Sequence, residues 1–582
     1  GFDAGYGGRV SGLIELTGKS GKNNKPYLDL SANLLNTNVL ANVPVTDKLS
    51  VTAAWRRSFV DNWQNYLYFR LIDDVVASEQ SPITSTIIPM VKFQDVNAKI
   101  SFHPAENFEM NLNLLYGNDH QARDFELLQT KDFYRNENTQ SENMGLSLNL
   151  KWQATPNWFH SFTAGFSKLE KSNIYETGEL QTLTDTIGNP GKGQGKGQGF
   201  APTRERTYTR ETHDIDNGFN KIEEYRAEWK SKLKTGILTN EAGIGGTYNR
   251  YGYDYFASRL YDDLQIDSIS NSSELILLNG FIQQRIEPLP LLSFRWGVRT
   301  NYDPKRCKLF WQPRGAIEFK PAEGVNIYFL SGIYYQFLSG IRRFDSEGHF
   351  SRIWFLPSQG GEGIVSGRHY IVGAKYNKNG WFADVEAYRK SSEGKVNMFA
   401  GINQQGNEQH VSYSLREGKE QKKGIDLFLQ KKHFIFNHMA AYSLSSSEEQ
   451  MDGFFDNEWY PGYNDRTHRL KLTEMINWKS WTLTASWQWA SGLPVYRYVM
   501  DQETGGFVRS DEFSQVNVAL VKSFVNRYFT LSAGASLLNV FDRSNTVEVN
   551  YLRFSSDAGS MTVRSDISAL GTTPIFFVAI KF

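Results

Sequence analysis

The chain is 582 residues long, 14% aromatic and formally neutral, with 63 Lys and Arg set against 63 Asp and Glu. That balance argues against a nucleic-acid role, which normally shows a basic stripe or patch, and the lone Cys307 leaves neither an intrachain disulfide nor a cysteine-based zinc site. The longest apolar run, "IFFVAI" near the C-terminus, falls far short of the roughly 18 residues that a membrane-spanning helix needs.

The chain opens on GFDAGYGGRVSGLIELTGKSG, which is glycine-rich and carries no initiator methionine, basic n-region or apolar h-region. It reads as the end of a preceding segment rather than as a signal peptide. Extended segments follow almost to the last residue. They are expected near 27–34, 36–44, 49–58, 93–102, 107–116, 143–153, 158–168, 221–232, 237–250, 273–286 and 290–302. The second half adds 312–320, 324–336, 368–377, 381–390, 423–431, 434–444, 466–478, 480–490, 512–523, 527–539 and 573–582.

Period-two alternation carries these assignments. Phe108, Met110, Leu112, Leu114 and Tyr116 oppose Glu109, Asn111 and Asn113, and Met144, Leu146, Leu148, Leu150 and Trp152 oppose Gly145, Ser147, Asn149 and Lys151. Late in the chain Trp481, Leu483, Ala485, Trp487 and Trp489 alternate with Thr482, Thr484, Ser486 and Gln488. No long stretch has helical periodicity.

The connections alternate in length. Short ones such as "PAEN", "ATPN", "EPLP", "PAEG" and "NKNG" take turns with long ones near 59–92, 117–142, 169–220, 251–272, 337–367, 391–422, 445–465, 491–511 and 540–572. One end of the structure is therefore trimmed and the other decorated. That is the asymmetry of an all-β, transmembrane antiparallel β-barrel of about 22 strands, with short periplasmic turns and long extracellular loops. Just past the short turns stand Phe108, Trp158, Trp381, Phe434, Trp481 and Tyr528, the places where a membrane-interface girdle of amphipathic rings belongs. Lipid offers no partner to an unpaired backbone group, so the strand near 27–34 must pair with the last one.

Several stretches resemble the TonB-dependent outer-membrane receptors and transporters: Tyr6, Gly7, Gly8, Arg9, Gly12, Lys19 and Gly21 in the opening, "IWFLPSQGGEGIVSGRHYIVGAKY" (353–376), "YPGYNDRTHRLKL" (460–472), "WQWASGLPVY" (487–496) and "LLNVFDRSN" (537–545). The resemblance implies that residues 1–22 end a plug domain and form the plug-barrel junction, and that 23–582 form the barrel. It also implies that the terminal Phe582 serves as an assembly signal, with the C-terminus periplasmic in the outer membrane of a Gram-negative bacterium. The implied function is import of a scarce nutrient: a ferric siderophore, cobalamin, an oligosaccharide or a peptide. Nothing is chemically transformed, so neither enzyme activity nor a cofactor or metal is implied. The implied partners are outer-membrane lipids and lipopolysaccharide, and the TonB-ExbB-ExbD machinery if the plug exists. The alternative is a plug-less structural or scaffold barrel that docks surface lipoproteins or other outer-membrane subunits.

Ligand contact is expected from rings and guanidinium groups crowded into the long connections, because rings stack on flat faces and guanidinium groups clamp carboxylates. Residues 59–70 offer Trp63, Tyr66, Tyr68 and Arg70. Residues 335–355 offer Tyr335, Arg342, Arg343, Arg352, Trp354 and Phe355. The "GNPGKGQGKGQGF" stretch follows no βαβ unit and reads as a flexible basic loop.

Overall fold

The computed structural model describes residues 2–15, 17–18, 25–60, 66–67, 69, 85–127, 133–187, 204–259, 265–344, 350–357, 361, 363–405, 408–497, 506–556 and 559–582. One antiparallel sheet of 23 strands dominates it: 22 staves and the two-residue segment Tyr460–Pro461, which pairs beside them. In chain order the staves are β1 (Tyr27–Asn33), β2 (Asn36–Thr46), β3 (Leu49–Ser58), β4 (Ser85–Ala105), β5 (Phe108–Leu127), β6 (Phe133–Thr155) and β7 (Trp158–Ile187). They continue with β8 (Arg204–Thr235), β9 (Leu238–Arg259), β10 (Gln265–Leu289), β11 (Leu292–Asp303), β12 (Lys308–Phe319), β13 (Val325–Gln336) and β14 (Val365–Lys378). The last are β15 (Trp381–Gln405), β16 (Glu408–His433), β17 (Phe436–Met451), β18 (His468–Trp478), β19 (Trp481–Ala490), β20 (Phe513–Val525), β21 (Thr530–Leu538) and β22 (Thr573–Lys581). Every expected strand lies in one of these staves.

The sheet closes on itself. β1 pairs with β22 from Asp29 opposite Lys581 to Asn33 opposite Phe577, and the Lys581 ammonium lies 3.2 Å from the Asp29 carboxylate. The Phe582 amide donates to the Leu28 carbonyl at 2.8 Å, so the ladder runs to the last residue. Closure leaves no stave without a partner on either side, the condition for a sheet in hydrocarbon.

Alternation sets what each face meets. Inside, polar side chains bond to one another, as Ser101 Oγ does to Asn111 Oδ1 at 2.8 Å and Thr52 Oγ1 to Asn42 Oδ1 at 2.9 Å. Outside, β7 presents Trp158, His160, Phe162, Ala164 and Phe166, and then Lys168 and Glu170. Neighbouring staves change character along the same paired rows: the row Phe166, Tyr225, Tyr248, Ile276 is apolar, and the next but one along the strands is Lys168, Glu223, Arg250, Glu274. Lys168, Lys221 and Arg250 bridge Glu142, Glu170, Glu223 and Glu274 at 2.9–3.8 Å. From Trp158 to Phe166, eight steps of about 3.3 Å tilted by about 40° rise roughly 20 Å, close to the apolar band of about 25 Å that such barrels show. Ile244 on β9 lies mid-band and is 65% exposed. Ile244→Lys is expected to cost about 2–4 kcal/mol in unfolding from phospholipid vesicles, and Lys at the lumenal Thr239 much less.

The short-turn rim holds Phe108, Trp158, Trp381 and Trp481 as first residues of β5, β7, β15 and β19, with Phe434 and Tyr528 in turns. Phe434 has φ 49° and is 93% exposed. The other rim differs from expectation in two ways. Stretches read as loops are largely continued ladder: β7 and β8 stay in register from Lys168 opposite Glu223 to Ile187 opposite Arg204. The same holds for much of 117–142, 251–272 and 391–422. Beyond the band both faces meet water, so the apolar alternation stops while backbone pairing goes on. In addition, two connections on this rim are tight, 34–35 and 304–307. Residues 188–200, read as a basic loop, lie outside the described residues.

Candidate functional site

The lumen holds the N-terminal segment as a strap. Its glycines let main chain approach the wall closely; a Cβ on Gly7 would overlap the Arg299 guanidinium. Across the strap, Gly297 is equally bare, since a Cβ there would come within 2.9 Å of the Ala4 Cβ.

Five consecutive carbonyls, Phe2 to Tyr6, each accept a hydrogen bond from the wall. Lys230 on β8 donates to Gly5 O at 2.8 Å, and Arg299 on β11 to Ala4 O at 3.4 Å. Arg314 on β12 donates to the carbonyls of Asp3, Tyr6 (2.6 Å) and Phe2 (3.5 Å), and the Tyr334 hydroxyl on β13 donates to Phe2 O at 3.4 Å. In return the Ala4 amide donates to Gln283 Oε1 at 2.9 Å. Rings close the grip: Phe2 lies 4.7 Å from Tyr334, and the Arg314 guanidinium sits over both at 4.8 and 4.4 Å. A main-chain grip of this kind reads few side chains; the Asp3 carboxylate 3.8 Å from Arg295 is one that it does read.

The cations that hold the strap are themselves held. Glu228, almost fully buried, lies 2.8 Å from Arg226, 3.2 Å from Lys230 and 3.5 Å from Arg299. Arg299 also donates to Asn279 Oδ1 at 2.7 Å, and Arg314 to Gln312 Oε1 at 2.9 Å. A buried charge without such partners would be strongly destabilising. The Tyr6 hydroxyl donates to Glu15 at 2.6 Å; that bond and partial burial push its pKa up to about 12, so it stays a donor at physiological pH.

Above the strap, the connection between β13 and β14 folds inward as a hairpin, Ser339–Phe344 against Phe350–Phe355. Phe337, Ile341, Ile353, Phe355 and Leu356 bury themselves against Tyr251, Tyr253, Leu275, Leu277 and Phe310 of the inner wall. This is the apolar core of the lumen. Between hairpin and strap remains a cavity of about 170 Å³ lined by Gly8, Arg226, Asn249, Leu277, Arg299 and Phe337.

The expected ligand-contact residues fall in two places. Trp63, Tyr68 and Arg70 lie outside the described residues, and Tyr66 is exposed in a separate connection. The other six gather on or beside the hairpin. Tyr335 packs edge-on to Phe310 at 5.1 Å, and Phe355 is buried with its ring edge-on to Tyr251 at 6.2 Å. Trp354 is half-buried, its amide donating to Asn220 Oδ1 at 2.9 Å while its carbonyl accepts from Asn220 Nδ2 at 3.3 Å. Arg342 stands opposite Arg352, and Arg343 opposite Ser351, in the backbone register. The strap-holding Lys230, Arg299 and Arg314, and Arg226 and Glu228 behind them, carry no signal in the sequence beyond charge on the lumenal side of alternating strands.

The resembling stretches late in the chain fasten outer connections to the rim. Asp465 accepts from the Ser447 amide at 2.8 Å and from Arg509 at 2.6 Å, and Tyr460 stacks on Phe507 at 5.6 Å. Asn539, fully buried with φ 47°, donates to the carbonyls of Arg543 and Leu570 at 2.8 and 3.1 Å.

A closed 22-stranded barrel with an occupied lumen and an apolar outer band defines a large outer-membrane-type barrel protein. The family described as TonB dependent receptor-like, beta-barrel matches residues 94–539, and the chain belongs to it. Among solved structures, the siderophore receptor PirA from Acinetobacter baumannii is similar at 10% identity and TM-score 0.59, covering 96% of this chain and 80% of that one. FpvA of P. aeruginosa, bound to heterologous pyoverdines, is similar at 11% identity and TM-score 0.59, covering 96% and 71%. A variant of the ferric enterobactin receptor PfeA from Pseudomonas aeruginosa is similar at 13% and 0.58, covering 96% and 80%. At these identities the likeness is one of fold. No curated protein sequence matches the chain. The family is one of receptors and transporters, and a barrel of this kind is a Gram-negative outer-membrane protein.

Proposed function

We propose that the chain is the barrel of a TonB-dependent importer, with residues 1–22 as the end of its plug and 23–582 as its transmembrane domain. The supporting observation is the strap: residues 2–6, N-terminal to the first stave, are held inside the lumen through their own main chain. In this reading the short-turn rim and the C-terminus face the periplasm, Phe108, Trp158, Trp381, Phe434, Trp481 and Tyr528 sit at the membrane interface, and Phe582 guides assembly. TonB, with ExbB and ExbD, supplies the force. The cargo is a scarce nutrient, with ferric siderophores favoured over cobalamin, an oligosaccharide or a peptide because several similar structures are siderophore receptors.

The hairpin residues Tyr335, Arg342, Arg343, Arg352, Trp354 and Phe355, with Trp63, Tyr66, Tyr68 and Arg70, are the proposed contacts at the mouth. Replacing Trp354, Arg342 and Arg343 together by alanine is expected to weaken binding of the transported ferric siderophore by roughly 30-fold or more, since a Trp or Arg hot spot costs about 2 kcal/mol or more. Iron uptake from a panel of ferric catecholates and hydroxamates should require an intact TonB. Uptake that ignores TonB overturns the reading, as does a barrel that takes up nothing and co-purifies with a surface lipoprotein.

A further inference from the structure

The seat of the strap holds more positive charge than the strap answers. Five cations stand around it: Arg226 and Lys230 on β8, Arg295 and Arg299 on β11, and Arg314 on β12. Glu228 serves three of them, at 2.8 Å from Arg226, 3.2 Å from Lys230 and 3.5 Å from Arg299. Asp3 lies 3.8 Å from Arg295, and it belongs to the strap itself. Arg314 is met by oxygens of neutral groups, the carbonyls of Phe2, Asp3 and Tyr6 and Gln312 Oε1. Neighbouring charges do not redress the balance, since Lys232 pairs with Glu241 at 2.8 Å and Arg285 with Glu318 at 3.4 Å.

Carbonyl oxygens are dipoles, so they cap these cations without neutralising them. If the strap is drawn out, as the importer reading on which this inference rests requires, its carbonyls and the Asp3 carboxylate leave together. Glu228 and, farther along β8, Glu224 are then the carboxylates beside five cations. Arg299 is almost fully buried with the strap in place, and a cation so placed is costly without a partner. A passage lined by one sign of charge concentrates the opposite sign. The cavity of about 170 Å³ between hairpin and strap is bordered by Arg226 and Arg299, so a solute coming past the hairpin meets these cations first.

We propose that the strap seat is a transit site for an oxygen-rich anion, and that the strap's carbonyls hold its place at rest. Carboxylate or catecholate oxygens accept from the same N–H groups as the carbonyls do. They carry charge as well, which makes such bonds shorter and roughly twice as strong. A neutral solute cannot restore what the cations lose when the strap leaves. The cargo class follows from this: a ferric complex of catecholate or carboxylate ligands, which keeps net negative charge, rather than a ferric tris-hydroxamate, whose ligand charges only cancel that of the iron.

Competition makes the site measurable in the full chain in detergent, without transport. An anion that occupies the seat only when the strap is out raises the open population by the factor 1 + [anion]/Kd. Hydrogen exchange at the Ala4 and Tyr6 amides, which donate to Gln283 and Asp3, reads that population. Citrate at about 10 mM is expected to speed both amides about tenfold over sodium chloride of equal ionic strength, the factor for an affinity of about 1 mM. Lys230→Met and Arg295→Gln each remove a cation while leaving the Arg314 fork on the strap, and each should cut the citrate effect to about threefold or less. Equal exchange in citrate and chloride overturns the proposal, because screening alone is then at work. An undiminished citrate effect in the folded variants overturns it too, because the anion then binds elsewhere. In cells, TonB-dependent uptake of a ferric tris-catecholate should exceed that of a ferric tris-hydroxamate. TonB-dependent uptake of the hydroxamate complex at an equal or higher rate overturns the proposal and leaves the importer reading standing, whereas uptake that ignores TonB overturns the importer reading and leaves the citrate measurement as it was.

Discussion

Arg314→Ala is expected to loosen the strap while leaving the barrel closed. The guanidinium donates to the carbonyls of Phe2, Asp3 and Tyr6 and sits over the rings of Phe2 and Tyr334. A hydrogen bond to a charged group contributes about 1.5–3 kcal/mol, so losing this fork costs on the order of 3–5 kcal/mol of strap docking. None of those bonds belongs to the stave ladder, and the register of β11, β12 and β13 needs no Arg314 side chain. The effect is therefore local opening rather than unfolding. Hydrogen exchange at the amides of Ala4 and Tyr6, which donate to Gln283 and Asp3, should speed up by about two to four orders of magnitude. Arg314→Lys, which keeps a charge but loses the planar fork, should fall between. Unchanged exchange in Arg314→Ala would mean that Lys230, Arg299 and Tyr334 hold the strap without it.

The staves could be read from the sequence because lipid makes a uniform demand. Phe108, Met110, Leu112, Leu114 and Tyr116 all face one apolar medium, so the period-two signal is strong wherever the chain crosses it. Where Lys168 begins the charged row the demand ends. The expected strand therefore stopped at residue 168, although β7 continues to Ile187. The lumenal grip was hidden for a different reason. Arg226, Glu228 and Lys230 look like the polar half of one strand, and Arg299 and Arg314 like that of two others. Only the register of β8 through β12 brings them to a common point. The mouth lies between these cases. Tyr335, Trp354 and Phe355 stood out as aromatics in a long connection, but composition does not tell a ring that docks a hairpin from one that meets a ligand. The buried Phe355 and the edge contact of Tyr335 with Phe310 show what holds the hairpin in place.

Phe355→Ala should release that hairpin. The Phe355 ring is buried between Tyr251 and Gly363, where a Cβ on the glycine would come within 2.9 Å of it. Gly363 has φ 86°, a conformation that favours glycine, so the backbone is fitted to this ring and a smaller side chain leaves a void. Truncating a buried Phe to Ala costs about 3–5 kcal/mol. The hairpin meets that cost alone, because its two strands pair with each other and not with any stave. Proteolytic cleavage within 339–355 should rise by about two orders of magnitude or more. Ion conductance in planar bilayers should rise with it, since the same side chains fill the mouth above the strap. Phe434→Ala, on the opposite rim and 93% exposed, should change neither. If cleavage rises and conductance stays low, the constriction lies at the strap rather than the hairpin, and Arg314→Ala combined with Phe355→Ala should then open the lumen. If cleavage also stays at the wild-type rate, the remaining contacts of Ile341, Ile353 and Leu356 dock the hairpin without Phe355.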